Sequence, residues 1–526
     1  MQTKKSKLSF LFKILTTISF VIFVSFILIL SVRGQFGVPN SEEINQNYWK
    51  EAGPFELSPE RGRFALLYSL VEDKSFDFSL PVAKFATPDL GYINGKYVSL
   101  FAPGLSFVLI PGYLLGKLYG ASQVGTYFMV AIFALFNVLL IRSILQHLKV
   151  SSIAAILSAL TFLFATPAFA YSVSLYQHHL STFIILLALY FLFKFKSAWS
   201  LLFIWFLCAA SIPIDYPNLF FMLPIGVAAL GKIISWQTIK ENVVVSFKPL
   251  AMFTVISAFI PLAFFLWFNT QSYGNPLQFS GTVTAVKSIN AEGLPENNKI
   301  TETTPESELV QIQEKRSAVA FFDTRNMLNG LNTHLFSVDR GVLLFTPVIL
   351  LSIFGMFYLY KSNPSATHVL LGIIVLCIVL YSMWGDPYGG WAFGSRYLIP
   401  AYAILAIFLG VALEKLRKNI LFLLLFLVLF GYSTAVNTLG AITTSSIPPK
   451  VEVLFLESLS GKEEKYNYWK SYDMIEAGYS KSFVFNASVK QYFTAKEYYY
   501  FISGSIFSVV FVLTILFYLR KKYVIT

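Results

Sequence analysis

Residues 60–81 read E-R-G-R-F-A-L-L-Y-S-L-V-E-D-K-S-F-D-F-S-L-P, and residues 87–112 read T-P-D-L-G-Y-I-N-G-K-Y-V-S-L-F-A-P-G-L-S-F-V-L-I-P-G. The stretch gathers Glu60, Arg61, Arg63, Glu72, Asp73, Asp77, Asp89 and Lys96 in a chain that is only 13% charged. It follows a long apolar run and precedes a series of others. An acid-rich loop with amphipathic helical pieces, pinned beside membrane helices, is therefore the expected seat of chemistry.

The rest of the chain supplies those helices. Of 526 residues, 56% are hydrophobic, and the charged share is half of that in ordinary soluble domains. The apolar residues come in runs long enough to cross a bilayer, which takes about 20 residues of helix. The first run, 8–32, follows Lys4, Lys5 and Lys7. Its apolar core is too long for a signal peptide, and no small-x-small cleavage site precedes 33–40, so it reads as a retained transmembrane helix.

The expected fold is all-α, a polytopic bundle of about twelve spans (11–13) with large loops outside the cell. The spans fall near 8–32, 122–145, 151–169, 178–195, 198–213, 216–231, 249–270, 342–360, 366–384, 397–413, 419–438 and 501–519. The run 103–118, broken by Pro111-Gly112, reads as an interfacial or re-entrant helix.

Basic residues set the orientation. With the N-terminus in the cytoplasm, Lys4, Lys5, Lys7, Arg142, Lys149, Lys194, Lys196, Lys232, Lys240, Lys248, Lys361, Lys415, Arg417, Lys418, Arg520, Lys521 and Lys522 all lie inside. This placement accounts for the net charge of +12 without nucleic acid. It puts both termini in the cytoplasm of a multi-pass cell-membrane protein and three long segments outside: 33–121, 271–341 and 439–500. Residues 1–438 form the transmembrane domain with the first two of these loops. Residues 439–500 form a cap or loop, and 501–526 the last helix and a basic tail. The run 290–308 is polar enough to be loosely packed.

Ionisable groups are nearly absent within the spans, which argues against an ion-coupled pump. They gather instead at the outer mouth: Glu60, Asp89, His178, His179, Asp215, Asp339, Arg340, Asp386 and Arg396. Each has a plainer reading. The arginines can be interfacial anchors, the histidines hydrogen-bonded interfacial groups, and Asp215 and Asp386 helix starts. Asp386, in Gly-Asp-Pro, can also join a carboxylate pair around Mg²⁺ or Mn²⁺; no cofactor is required by the sequence. Cys208 and Cys377 sit in apolar runs and point to neither disulfide nor metal.

Glu60-Arg61-Gly62-Arg63-Phe64-Ala65 and Tyr97-Val-Ser-Leu-Phe101-Ala-Pro103-Gly-Leu105 carry a resemblance. So do Gln271-Ser-Tyr-Gly-Asn-Pro276, Asp339-Arg340-Gly341 and the segment from Trp384 to Pro400. Together they resemble the GT-C class of membrane glycosyltransferases that use polyprenyl-phosphate sugars, such as lipid A aminoarabinose transferases and protein O-mannosyltransferases. In that class an acid pair and an R-Y-A-like helix follow the first span, and a Y-x-x-K-P-P-L-like segment comes next. Glu60 stands where the class has a catalytic Asp, Arg61 replaces the second acid, and Phe101 replaces the lysine, with Lys96 as a substitute five residues earlier.

The resemblance implies a polyprenyl-phosphate-linked sugar donor, membrane lipid around it, and an envelope acceptor that is lipid, glycan or protein. It makes Glu60 the catalytic base, with Asp89 in reserve. Arg63, Lys96, His178, His179, Asp215, Arg340 and Arg396 become the candidates for substrate and phosphate binding. The chemistry is consistent: a carboxylate takes the acceptor proton, and cations hold the leaving phosphate. A helix from Gly62 to Val71, begun by Glu60, together with Arg61 and Arg63, would keep that carboxylate ionised. A flippase, transporter or scaffold for lipid-linked sugars is the non-enzymatic alternative, and a polymerase of lipid-linked sugar units a second enzymatic one.

Overall fold

The computed structural model describes residues 2–50, 53–239, 242–296 and 321–519. From residue 297 onward the polar run 290–308 lies outside the described residues, as do Lys240, Arg520, Lys521 and Lys522.

Helices dominate because backbone in an apolar surrounding must satisfy its own hydrogen bonds. Among the described residues seven are long and apolar enough to cross a membrane: Ile14–Ser31, Ser122–His147, Phe253–Tyr273, Pro364–Ser382, Arg396–Leu416, Ile420–Ile442 and Ala495–Leu519. Ser152–Phe164, His178–Lys194, Ala198–Ala210, Leu223–Ile233 and Pro347–Ser362 are shorter apolar helices at five further expected positions. Prolines explain some of the shortening. Pro167 follows the end of Ser152–Phe164 and opens the next helical turn, Ala168–Tyr171. The helix Arg396–Leu416 is central, with 83% of its apolar window buried, whereas Ile14–Ser31 and Ala495–Leu519 bury only 28% and form the periphery.

After α1 (Gln2–Ser31) the chain forms α2 (Ser58–Tyr68), α3 (Leu80–Ala86), a hairpin of β1 (Leu90–Ile93) and β2 (Lys96–Ser99), α4 (Gly104–Leu118) and α5 (Ser122–His147). The hairpin departs from the all-helical expectation. Leu90 pairs with Ser99 and Ile93 with Lys96, and a third strand from the second loop, Thr284–Val286, pairs antiparallel with β1.

The three long loops meet at one end of the bundle. Besides the strand pairing, Arg33 bridges to Ser482, Gly37 to Ala121 and Phe322 to Trp384, and the Ala392 N–H donates to Ile447 O at 2.9 Å. At the other end Lys232 Nζ donates to the carbonyls of Leu192 and Phe195, Lys418 Nζ to that of Tyr518, and the Ser151 N–H to Glu414. The first end carries the candidate site.

Candidate active site

Pro59 starts α2, where its missing N–H costs nothing, and this places Glu60 in the first helical turn. Glu60 itself is fully buried, with no side-chain surface exposed to solvent. Its Oε1 accepts the Leu175 N–H at 3.1 Å, and its Oε2 is buried with no hydrogen-bond partner in the chain. Burial raises the carboxyl to about 7, against an opposing Arg33 charge, with nearby Glu56 adding to the rise.

The expectation that Arg61 and Arg63 hold Glu60 ionised is therefore corrected. Arg61 turns away to the carbonyls of Phe85, Phe55, Glu56 and Thr87. Desolvation outweighs the favourable charge that remains.

Arg63 does enter a cluster. Its Nη1 donates to Pro59 O at 2.7 Å and its Nη2 to Gln177 Oε1 at 2.6 Å. Gln177 Nε2 donates to Asp215 Oδ2 at 3.1 Å, and the Tyr381 hydroxyl donates to the same oxygen at 3.4 Å. Burial raises the Asp215 carboxyl, opposed by the Gln177 hydrogen bond and the Arg63 charge. The guanidinium of Arg63 lies 4.3 Å from the centroid of Phe101 and 5.2 Å from that of Tyr176. Gly62 permits the approach, since a Cβ there would lie 2.6 Å from Phe101 Cε2. Phe101, in the place of a lysine, is thus the aromatic face that seats Arg63.

Arg396 reaches the same ring from the far half of the chain. Its guanidinium lies 4.4 Å from the Tyr176 centroid and 5.5 Å from that of Tyr397. Its Nε and Nη1 are buried and make no well-formed hydrogen bond, while the guanidinium also interacts with the Tyr397 side chain. His178 stacks on Tyr176 at 5.8 Å, and its Nε2 and the Tyr176 hydroxyl are buried without hydrogen-bond partners in the chain. Two arginines and several orphaned polar atoms surround one tyrosine, and leaving such groups buried and unpaired is costly.

Other expected residues lie elsewhere or are already engaged. Arg340 is fully buried and donates to the carbonyls of Tyr388, Asp339, Gly390 and Ile447. It clamps loops together, with each of its three nitrogens already donating to a backbone carbonyl. Lys96, 54% exposed on the hairpin, pairs with Asp77 at 3.2 Å and does not join the cluster. His179 is held between Asn137 and the Ala168 carbonyl, its Nε2 at 2.7 Å, as a satisfied core residue. Asp89 accepts from Ser58 Oγ at 2.5 Å, at the start of the Glu60 helix.

Asp386 accepts the N–H groups of Tyr388 and Gly390 and so shapes its own turn. Among the described residues no group of three His, Cys, Asp or Glu side chains could hold a metal ion.

Sequence reasoning missed a second buried network beside Glu60. Arg33 Nη1 lies 3.5 Å from Glu56 Oε2, and Lys481 Nζ lies 2.5 Å from Glu56 Oε1. Arg33 Nη2 also donates to Gly440 O at 2.8 Å and to Ser445 Oγ at 3.1 Å. Burial pushes the Glu56 carboxyl up, but Lys481 and Arg33 more than offset it and leave it lowered. His334 was also missed; its Nδ1 meets Ser395 Oγ at 2.6 Å and positions the residue before Arg396.

No protein-family model and no curated protein matches this sequence. Among solved structures the chain is similar to ArnT from Cupriavidus metallidurans in the apo state, at 10% identity and TM-score 0.46, over 95% of this chain and 75% of that one. ArnT from the same organism bound to undecaprenyl phosphate is similar at 12% identity and TM-score 0.49, over 95% and 77%. The archaeal oligosaccharyltransferase AglB from Archaeoglobus fulgidus, in complex with an inhibitory peptide and a dolichol-phosphate, is similar at 12% identity and TM-score 0.40, over 94% and 56%.

Proposed function

We propose that this chain is an integral membrane glycosyltransferase that moves a sugar from a polyprenyl-phosphate donor to an envelope acceptor at the outer face of the cell membrane. The observation that carries this reading is a buried carboxylate with one unpartnered oxygen, Glu60, beside a cluster containing an arginine with two nitrogens in no well-formed hydrogen bond, Arg396. Lys and Arg at the opposite helix ends support the outward orientation.

In this reaction the acceptor hydroxyl oxygen bonds to the anomeric carbon as the bond from that carbon to the phosphate oxygen breaks. Glu60 takes the hydroxyl proton through Oε2. A carboxyl near 7 is matched to that task, being largely ionised just above neutrality yet basic enough to hold a proton. The leaving polyprenyl phosphate keeps the electron pair of the broken bond. Arg396 and Arg63 stabilise that charge in a dry site, where fixed donors act most strongly. Tyr176 and Phe101 hold the guanidiniums in place before the ligand arrives. Planar, forked guanidiniums suit a phosphate better than point charges do. The prenyl tail needs only the apolar helix surfaces.

Deletion in the native host, with mass spectrometry of lipid-linked sugars and envelope glycans, tests the reading. One envelope product should lose a sugar residue while a lipid-linked sugar accumulates, and wild-type protein but not Arg396→Ala should restore both. Unchanged glycans, or full restoration by Arg396→Ala, would overturn it.

A further inference from the structure

Beside the Glu60 helix lies a cavity of about 640 Å³, within the range of small-molecule sites. One wall is the segment that carries Glu60 itself, through Glu56, Ser58 and Arg61. The opposite wall comes from Trp391 and from the 439–500 segment, through Thr444, Lys470 and Lys481. We infer that this cavity is the acceptor subsite and that the acceptor bound there is a carbohydrate, rather than the acyl region of a lipid or an extended peptide. The inference rests on the glycosyltransferase reading and deepens it.

The lining decides the class of ligand. Acyl chains need a continuous apolar wall, whereas here Leu57, Pro88, Trp391 and Met474 are interspersed with ionisable groups of both signs and hydroxyls. Ligands that add a strand need a sheet edge, and no residue lining the cavity belongs to a strand. A sugar presents hydroxyls that both donate and accept around a ring with an apolar C–H face. Carboxylate, ammonium and hydroxyl groups answer the first property, and an indole answers the second.

The indole is fixed. Trp391 Nε1 donates to Glu452 at 2.7 Å, and the Lys470 ammonium lies 5.2 Å from the ring centroid. Lys470 is in turn paired with Glu464 at 2.5 Å, and Lys481 with Glu56 at 2.5 Å. The carboxylates at and behind the wall balance its cations, so the site does not demand an anionic ligand.

Saturation-transfer NMR on the full chain in nanodiscs, with a panel of neutral and acidic di- and trisaccharides, tests this. Undecaprenyl phosphate is titrated in parallel. At least one saccharide should bind, with affinity falling tenfold or more in both Trp391→Ala and Lys470→Gln, while undecaprenyl phosphate binds both variants as it binds wild type. Absence of any saccharide signal, or saccharide binding indifferent to both substitutions, overturns the carbohydrate subsite. So does a signal from an extended peptide or phosphatidylglycerol vesicles that the two substitutions abolish while saccharides give none. Saccharide binding without undecaprenyl phosphate binding in wild type would leave the subsite standing and overturn the donor reading, so the two failures are separable.

Discussion

In the proposed reaction Glu60 is the base, and burial makes its behaviour measurable. With its carboxyl raised to about 7, the base form is lost as pH falls through neutrality, so transfer should drop about tenfold per unit below that point. A pH–rate profile of kcat/KM checks this; an acid limb near 4.5 would mean a solvated carboxylate. The stability effect has the opposite sense. A carboxyl raised on folding contributes stability that is full below about 4.5 and is lost as pH rises through about 7. Glu60→Gln should therefore unfold at higher temperature than wild type above pH 8, by an amount equivalent to up to about 3 kcal/mol.

Glu56, four residues away, should behave differently. Glu56→Ala leaves Arg33 buried without its carboxylate and should cost about 3–5 kcal/mol. A thermal unfolding temperature equal to wild type would show that Arg33 finds another partner. Glu60, Arg63 and Arg396 could be singled out from the sequence as ionisable groups near one level of the chain, and all three are buried. The Arg33–Glu56–Lys481 network was not, because its members come from opposite ends of the sequence and only the fold joins them. Arg340 misled for a related reason: an arginine beside an acid at a helix start looks like an anion site until four carbonyls are found around it.

Among the elements, the apolar helices could be read from run length alone: every expected span overlaps one, and seven of these helices are long enough to cross a membrane. The β1–β2 hairpin falls in a loop whose sequence suggests amphipathic helices, yet its turn is written in the sequence. Its Tyr92-Ile-Asn-Gly-Lys-Tyr97 pattern places Asn94 and Gly95 at the turn, with φ of 52° and 78°, as a two-residue hairpin requires. Helix contacts were less visible. α4 and α5 approach closely enough that a Cβ on Gly125 would lie 2.1 Å from Gly112 O. Small residues allow such contact between helices in lipid, where no hydrophobic force draws them together. Gly125→Leu should force the pair apart and destabilise the protein by about 1–3 kcal/mol or more. Melting of the purified variant at the wild-type temperature would mean the helices can slide to accommodate it.

For the whole molecule, the one-sided distribution of basic residues anticipated that the three long loops share a face, and they do meet at one end of the bundle. What charge could not show is how they interlock. The second loop adds a strand to the hairpin of the first, and the third supplies Lys481 to the network beside Glu60. The account places this face outside the cell. Single cysteines at Glu296 and Lys465 should both react with a membrane-impermeant maleimide on intact cells, and protection of both would reverse the orientation.

The central claim is that Glu60 accepts the acceptor proton while Arg396 and Arg63 hold the lipid phosphate. Its most direct test is purified protein in nanodiscs with a polyprenyl-phosphate sugar donor, measuring donor binding and sugar transfer on the same preparations of wild type, Glu60→Gln and Asp89→Asn. The account predicts that Glu60→Gln binds donor as wild type does and loses transfer by a factor of roughly 10²–10⁴, while Asp89→Asn keeps most of its turnover. Full turnover by Glu60→Gln would contradict it.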